Sequence, residues 1–113
     1  MTPLPNFVEW DSIPTRRLAP GVTLRIFSSA RVMLSLVELE PGAVVPAHQH
    51  PHEQLGIWLA GEAEATIGDS RKRVRAGDSY YIPGGAEHTF VAGPNGGRAL
   101  DIFHPPREDY LTP

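Results

Sequence analysis

The sequence contains no cysteine. Disulfide bonds, a thiolate nucleophile, a cysteine-based zinc site and iron–sulfur ligation are therefore excluded. A metal ion would have to be held by histidine nitrogen, carboxylate oxygen or amide oxygen. A serine nucleophile elbow, a phosphate-binding glycine loop and an HExxH helix are also missing. Hydrolysis through a covalent nucleophile consequently has no support in this chain.

The chain also lacks an excess of positive charge and a long apolar run. Its 10 lysines and arginines stand against 13 acids, which gives a net charge of −3 and does not favour nucleic acid or an anionic membrane. No stretch approaches the roughly 18 apolar residues of a membrane span, and residues 1–5 do not resemble a secretion signal. We therefore expect a cytoplasmic protein without nucleic-acid or membrane partners.

The chain is instead rich in the residues that form turns. It carries 11 glycines and 12 prolines in 113 residues, a length that suits one domain. Strand-length segments recur roughly every 8–12 residues between turns, without a helical period, which predicts an all-β sandwich or barrel. The predicted strands are 22–27, 31–40, 43–50, 54–60, 62–67, 71–75, 80–82, 88–92 and 98–103. The ends, 1–20 and 105–113, are predicted to be arms that pack over the barrel or onto a second subunit.

Three of the five histidines fall at positions 48, 50 and 52. His48 and His50 are two residues apart in a predicted strand, so both imidazoles should point to the same face. Two imidazoles in this arrangement could coordinate one metal ion, although a single strand cannot supply all of its ligands. Further ligands could come from the carboxylate or amide at positions 53 and 54 and from His88, after a glycine-rich loop. For His52 we expect a place in the turn, facing solvent or lying behind the ligands.

The last predicted strand and the tail carry a second group of polar residues. Asp101 and Phe103 share one face of the strand, and Arg107 follows two prolines that force a bend. An aspartate near a metal is a candidate acid or base, and an arginine offers a planar fork to a carboxylate. The alternative is a structural ion pair between Asp101 and Arg107, or an arginine that is simply exposed. Trp58 shares the face of position 54 and is the best aromatic candidate for lining a pocket.

The spacing of these residues resembles the two motifs of the cupins, at residues 42–61 and 77–92. The matching positions are Gly42, His48, His50, Gln54 and Gly61 in the first motif and Gly77, Pro83, Gly85 and His88 in the second. The resemblance implies that residues 1–113 form a single jelly-roll domain with a metal held by three histidines and one side-chain oxygen. The implied metal ligands are His48, His50, Gln54 and His88. The implied cofactor is one divalent ion, which could be zinc, nickel, iron, manganese or copper.

Two positions depart from the cupin pattern. The usual glutamate is Gln54, and an asparagine often found after the last histidine is Ala92. Glu53 is adjacent, but a shift of one residue in a strand reverses the face, so we expect Gln54 to be the ligand. Three neutral imidazoles and an amide leave the charge of a divalent ion uncompensated. Such a site should favour an anionic ligand and act as a Lewis acid.

The segments HQHPHEQLGIWLAGEAEATIG (48–68) and ALDIFHPPREDYL (99–111) narrow the resemblance. They look like the small cupins of pectin degradation that linearise unsaturated uronates. That resemblance implies that Asp101, Phe103 and Arg107 line the site, with Arg107 gripping the substrate carboxylate and Asp101 moving the proton. The implied reaction opens the ring of a 4,5-unsaturated monouronate and gives a linear 5-keto acid.

Three other functions remain open at this stage. The HPHEQ segment (50–54) also resembles cupins that are similar to aromatic polyketide cyclases. Such an enzyme would need a wider and more apolar pocket. A metal-dependent dioxygenase and a non-catalytic sugar- or metabolite-binding cupin use the same fold. In each case the partner is a small molecule. A small barrel with proline-containing arms would bury more apolar surface as a pair, so we also predict a homodimer.

Overall fold

Strands make up most of the chain. The computed structural model describes residues 4–112. A 3₁₀ turn at Trp10–Ser12 comes before the strands, and one short helix, α1 (Glu108–Leu111), comes after them. The strands are β1 (Arg16–Ala19), β2 (Val22–Ser28), β3 (Met33–Leu39), β4 (Val44–His48), β5 (Glu53–Ile67), β6 (Ser70–Arg75), β7 (Ser79–Ile82) and β8 (His88–His104). Neither helical segment of residues 4–112 has the length and apolar character needed to cross a membrane.

The two longest strands, β5 and β8, organise the sheet. They pair with each other, while β8 also pairs with β3 and β4, and β5 also pairs with β6 and β7. β2 extends the sheet beyond β3, and β1 extends it beyond β2; every pairing is antiparallel. Buried side chains from β2 through β8 meet in one cluster, so the sheet curves around a common core. Each aliphatic side chain fully buried there contributes about 1.5–3 kcal/mol.

The predicted breaks within β5 and β8 are wrong. Strands expected at 54–60 and 62–67 form one strand, and so do those expected at 88–92 and 98–103. Gly61 has a φ of 69° and the pairing with β8 shifts register beside it, so the residue forms an irregularity within the strand and not a turn. The carbonyl oxygen of Gly96 lies 2.1 Å from where a Cβ on Gly61 would stand, so only glycine fits.

Both predicted arms contain regular structure. Within the expected arm 1–20, β1 adds a strand to the sheet by pairing with β2, and the Trp10 ring packs edge-on against Phe27 at 6.4 Å. Residues 1–3 and 113 lie outside the described part of the chain. In the expected arm 105–113, α1 is tied to β1 because Arg16 donates hydrogen bonds to the carbonyls of Tyr110 (2.6 Å) and Asp109 (3.2 Å). The two chain ends therefore meet over one end of the barrel.

Candidate metal centre and adjoining pocket

Three histidines converge at this end of the barrel. His48 ends β4 and His88 begins β8, and the two are direct partners in the antiparallel pairing. His50 follows β4 in the turn that leads to β5. Their potential ligand atoms all lie within 4.8 Å of one another. The ring centroid of His88 is 4.2 Å from that of His48 and 4.9 Å from that of His50. That spacing allows the three imidazoles to reach a single ion.

Each of these imidazoles is held by the backbone through its Nδ1 atom. Nδ1–H of His48 donates to the carbonyl of Pro46 at 2.8 Å, and that of His88 donates to the carbonyl of Ala86 at 2.9 Å. His50 makes the corresponding bond to the carbonyl of His52 at 3.1 Å. This pattern fixes the tautomer and leaves a lone pair on every Nε2. His88 Nε2 is buried and has no hydrogen-bond partner, which is what a metal-ligating nitrogen looks like without its ion.

Gln54 adds an oxygen to the cluster. Its side chain is buried at the start of β5, and its Oε1 lies 3.1 Å from Nε2 of His50. Two lone-pair atoms at this separation suit neighbouring ligands of one ion, because bonds of about 2.1 Å at a right angle place the donors about 3 Å apart. Glu53 is exposed on the opposite face and accepts a hydrogen bond from Tyr81 at 3.2 Å. The donors present therefore fit a divalent ion bound by three nitrogens and an amide oxygen.

Burial and neighbouring charge favour the neutral form of His50 and His88. Burial, the positive charge of Arg107 and the neighbouring imidazoles together lower the pKa of His50 to about 4. Burial also lowers the pKa of His88. Neutral imidazoles are the form that binds metal, so the cluster is ready for an ion at neutral pH.

Asp101 lies beside the histidines near the end of β8. Its carboxylate accepts a hydrogen bond from the hydroxyl of Tyr80 at 2.5 Å. Burial raises the pKa of Asp101 to about 6, and the polar contacts with Tyr80 and Gln54 and the charge of Arg107 partly offset that rise. The carboxyl group therefore changes its protonation state close to neutral pH. Phe103, two residues on, faces the ring of His50 at 5.6 Å.

Arg107 is buried against two aromatic rings. Its guanidinium lies 3.9 Å from the ring centroid of Tyr110 and 5.3 Å from that of Phe103. It donates to both carboxylate oxygens of Asp109, at 2.8 and 3.3 Å, and to the Tyr110 hydroxyl at 2.9 Å. The alternative of an ion pair between Asp101 and Arg107 is therefore wrong, because α1 brings Asp109 to the guanidinium instead.

The residues named above surround a small cavity. Its volume is about 40 Å³, and a depression of about 240 Å³ adjoins it and shares His48 and Arg107 as lining residues. The largest depression, about 610 Å³, lies elsewhere between charged residues such as Arg17 and Glu40, and no histidine lines it. We place the site at the smaller cavity, because that is where the candidate ligand atoms of the three histidines converge. It is lined by His48, Gln54, Trp58, Tyr80, His88, Asp101, Phe103, Arg107 and Tyr110, among others.

Trp58 and His52 have larger structural roles than expected. Trp58 lines the cavity but is 1% exposed and stacks on Phe90 at a centroid distance of 5.9 Å, so it also belongs to the core. His52 lies in the turn as predicted, yet it is buried behind His50, and its Nε2 approaches the Glu108 carboxylate at 3.3 Å. The contact joins the histidine turn to α1.

Two tyrosines of the site, Tyr80 and Tyr110, are not among the site residues predicted from the sequence. The available signal for Tyr80 was Gly56, since a glycine in the middle of a strand leaves space for a neighbouring side chain. The position of Tyr110 depends on how α1 folds back, for which the sequence carries no local signal.

Comparisons with known proteins agree with this geometry. The Cupin domain family matches residues 35–103. The pectin degradation protein KdgF of Dickeya dadantii is 29% identical over 103 residues, covering 89% of this chain and 94% of that protein. The structure of KdgF from Halomonas sp. superposes with a TM-score of 0.87 at 28% identity, covering 95% of this chain and 99% of the other. An RmlC-like cupin from Shewanella frigidimarina gives a TM-score of 0.87 at 26% identity, covering 94% and 96%.

Proposed function

The chain belongs to the cupin family and has its all-β jelly-roll barrel, and from this premise we propose that it is a metal-dependent isomerase of small, enolisable sugar acids. The proposed substrate is a 4,5-unsaturated uronate, and the product is its linear keto acid. The observation that carries the proposal is the joint presence, in one small cavity, of a neutral metal-ligand cluster, a buried carboxyl and a buried guanidinium. The likeness to proteins named for pectin degradation supports the choice of a uronate.

The proposed ligands of the metal are His48, His50, Gln54 and His88. The unpartnered Nε2 of His88 and the lone-pair contact between His50 and Gln54 support this set. When bound, a divalent ion would supply Lewis acidity toward the oxygens of the substrate. Because all four ligands are neutral, its charge would remain available to an anion.

The proposed reaction is an isomerisation and needs neither an oxidant nor water. The hemiacetal hydroxyl loses its proton, the bond between the anomeric carbon and the ring oxygen breaks, and the ring oxygen takes up a proton as an enol. The enol then loses that proton and gains one on carbon, which gives the ketone. Asp101 is proposed to carry these protons, since it is buried in the cavity and its pKa is raised to about 6.

Arg107 is proposed to bind the substrate carboxylate. Its present two-point contact with the Asp109 carboxylate indicates that the guanidinium is presented in the orientation that such a group requires. The substrate would compete with Asp109, whose side chain is largely exposed. Asp109→Asn should therefore lower the KM, because the guanidinium loses its internal partner, whereas Arg107→Lys should raise the KM, because the planar fork is lost.

The proposal is tested with purified protein loaded with one metal at a time. A 4,5-unsaturated uronate should lose its ultraviolet absorbance faster than in a buffer blank, without oxygen consumption. A chelator should abolish this rate and added metal should restore it. Asp101→Asn should remove turnover while retaining bound metal. An Asp101→Asn variant with full turnover contradicts the proposed proton transfer.

Two other outcomes would point to other functions. Oxygen uptake would identify a dioxygenase, and binding of a uronate without turnover would identify a non-catalytic binding cupin. A cyclase of large aromatic polyketides is disfavoured by the small size of the cavity, about 40 Å³, and of the depression that adjoins it, about 240 Å³.

A further inference from the structure

We infer that Tyr80 is the residue that positions Asp101 for reaction, and that Gly56 provides the gap through which Tyr80 reaches it. The inference rests on the proposed role of Asp101 as the proton carrier. In this inference, Tyr80 orients the Asp101 carboxylate and does not contact the substrate. Three strands cooperate in this arrangement, because Tyr80 lies on β7, Gly56 on β5 and Asp101 on β8.

The three residues form a straight row across the inner face of the sheet. Gly56 is the register partner of Tyr80 on one side and of Asp101 on the other. A strand residue would ordinarily separate such positions with its own side chain. A Cβ on Gly56 would stand only 2.2 Å from the ring of Tyr80. The ring therefore occupies the space that any other residue at position 56 would fill, and its hydroxyl reaches the carboxylate beyond.

The hydrogen bond from Tyr80 restricts a carboxylate that has few other donors. Asp101 is buried, so water does not solvate it freely, and in residues 4–112 its hydrogen bond comes from Tyr80, with the side chain of Gln54 as a second polar neighbour. Ser35 is its register partner on β3, but the Ser35 hydroxyl makes no hydrogen bond there. Gln54 links Asp101 to the metal ligands. Tyr80 holds the carboxylate from the side of β7, so loss of its hydroxyl leaves the group free to rotate.

Tyr81 offers a matched control. It is the next residue on β7 and points to the opposite face, where it is 52% exposed and its hydroxyl donates to Glu53. Tyr80→Phe and Tyr81→Phe each remove one hydroxyl from the same strand. Only the first removes a donor from the cavity.

The kinetic test compares these variants with uronate as substrate. Tyr80→Phe should lower kcat by about tenfold or more, the cost of a lost hydrogen bond to a charged group, with KM and bound metal unchanged. Tyr81→Phe should leave kcat unchanged. Gly56→Ala should lower kcat as Tyr80→Phe does, and combining the two should cost little more than either alone. If Gly56→Ala does not fold, the Tyr80→Phe variant alone tests the inference. Turnover of Tyr80→Phe at the wild-type rate overturns the inference.

A second readout does not depend on turnover. In metal-free protein, Tyr80→Phe should lower the thermal midpoint, because the buried carboxylate loses a donor, and should lower it much less in an Asp101→Ala background. Equal losses in both backgrounds overturn the inference. If the wild type does not convert the uronate, the proposed function fails on its own. The thermal comparison then still decides whether Tyr80 holds Asp101.

Discussion

A glutamine side chain among three imidazoles leaves the ligand set without negative charge. A carboxylate in the same place would bind the ion more tightly but would neutralise half of its charge. The Oε1 atom of Gln54 lies 3.1 Å from Nε2 of His50, and the Gln54 side chain also lowers the pKa of the Asp101 carboxyl. The proposed ligands and the proposed proton carrier are thus connected through one amide.

The first prediction concerns this amide. Gln54→Ala should weaken metal binding by about tenfold or more, because it removes one of four ligands and the group that orients Asp101. Metal content after dialysis, followed by competition with a coloured chelator, measures the effect. Glu53→Ala is the control, since that neighbour is exposed. Unchanged metal content in Gln54→Ala would show that the ligand is assigned wrongly.

The second prediction concerns the cost of burying Asp101. Its pKa rises from 3.8 to about 6, so the folded state retains a proton that the unfolded chain loses between these values, and stability falls as pH rises through them. The Asp101→Asn variant has no carboxyl group to ionise at this position, so its stability does not fall for this reason. In metal-free protein the variant should be more stable than the wild type by up to about 3 kcal/mol at pH 7, with the difference shrinking toward pH 4.

Thermal unfolding at the two pH values, with a chelator present, measures this difference. Asp78→Asn is a control of opposite sign: its pKa is lowered, chiefly by the hydrogen bond from Lys72, so its substitution should destabilise at neutral pH. A gain from Asp101→Asn that is equal at both pH values would rule out the carboxylate charge as its cause.

At the scale of elements, glycine has two uses in this fold that look alike in the sequence. Pro41-Gly42 and Gly68-Asp69 end strands, whereas Gly61 and Gly96 lie inside β5 and β8. The sequence indicates a backbone change at each position but does not distinguish a turn from a bulge. The difference depends on whether the chain beyond the glycine finds the same neighbouring strand. For β5 and β8 that neighbour is tens of residues away, so a local pattern could not predict it.

The third prediction separates these two uses. Gly61→Ala and Gly68→Ala both place a side chain at positive φ, which costs about 1–2 kcal/mol. A Cβ at Gly61 would also meet the Gly96 carbonyl oxygen at 2.1 Å, whereas Gly68 has open space. Gly61→Ala should therefore lower the denaturant midpoint clearly more than Gly68→Ala. Equal losses would show that the close approach of β5 and β8 carries no energetic weight.

In the site, too, some features follow from residues that are close in the sequence and others depend on elements that are far apart in it. The shared face of Asp101 and Phe103 follows from strand alternation. The convergence of His48 and His50 does not follow from it as predicted, because β4 ends at His48 and the turn beyond it places His50. The pairing of Arg107 with Asp109 does not either, because α1 is fixed by Arg16 from the other end of the chain. The contact of Tyr80 with Asp101 likewise requires three strands in register. A sequence pattern can show which residues share a face, but not which strands become neighbours.

At the scale of the whole molecule, the outer face of the sheet carries exposed apolar side chains on β5 and β7. Leu55 and Tyr81 are register partners on β5 and β7 and are 51% and 52% exposed. Leu59, also on β5, is partly exposed as well. Paired aliphatic and aromatic side chains in solvent are costly unless another surface covers them. This face is where we expect the predicted homodimer to form.

The fourth prediction is the mass in solution. Light scattering at micromolar concentration should give twice the mass of one chain, because pairing removes the apolar face from water. Leu55→Glu should give the mass of one chain by placing a charge there. Val44→Glu is the control, since Val44 is similarly exposed but lies on β4. A single-chain mass for the wild type would contradict the prediction.

The backbone carbonyls that hold the three imidazoles bear on how the proposed ion would enter the protein. Because each ring is oriented by its own neighbouring backbone, the barrel can fold before an ion binds, and binding would need little change in side-chain orientation. This order of events does not restrict the folded chain to one metal. The proposed occupant would then follow from the metals that are available around the folded protein.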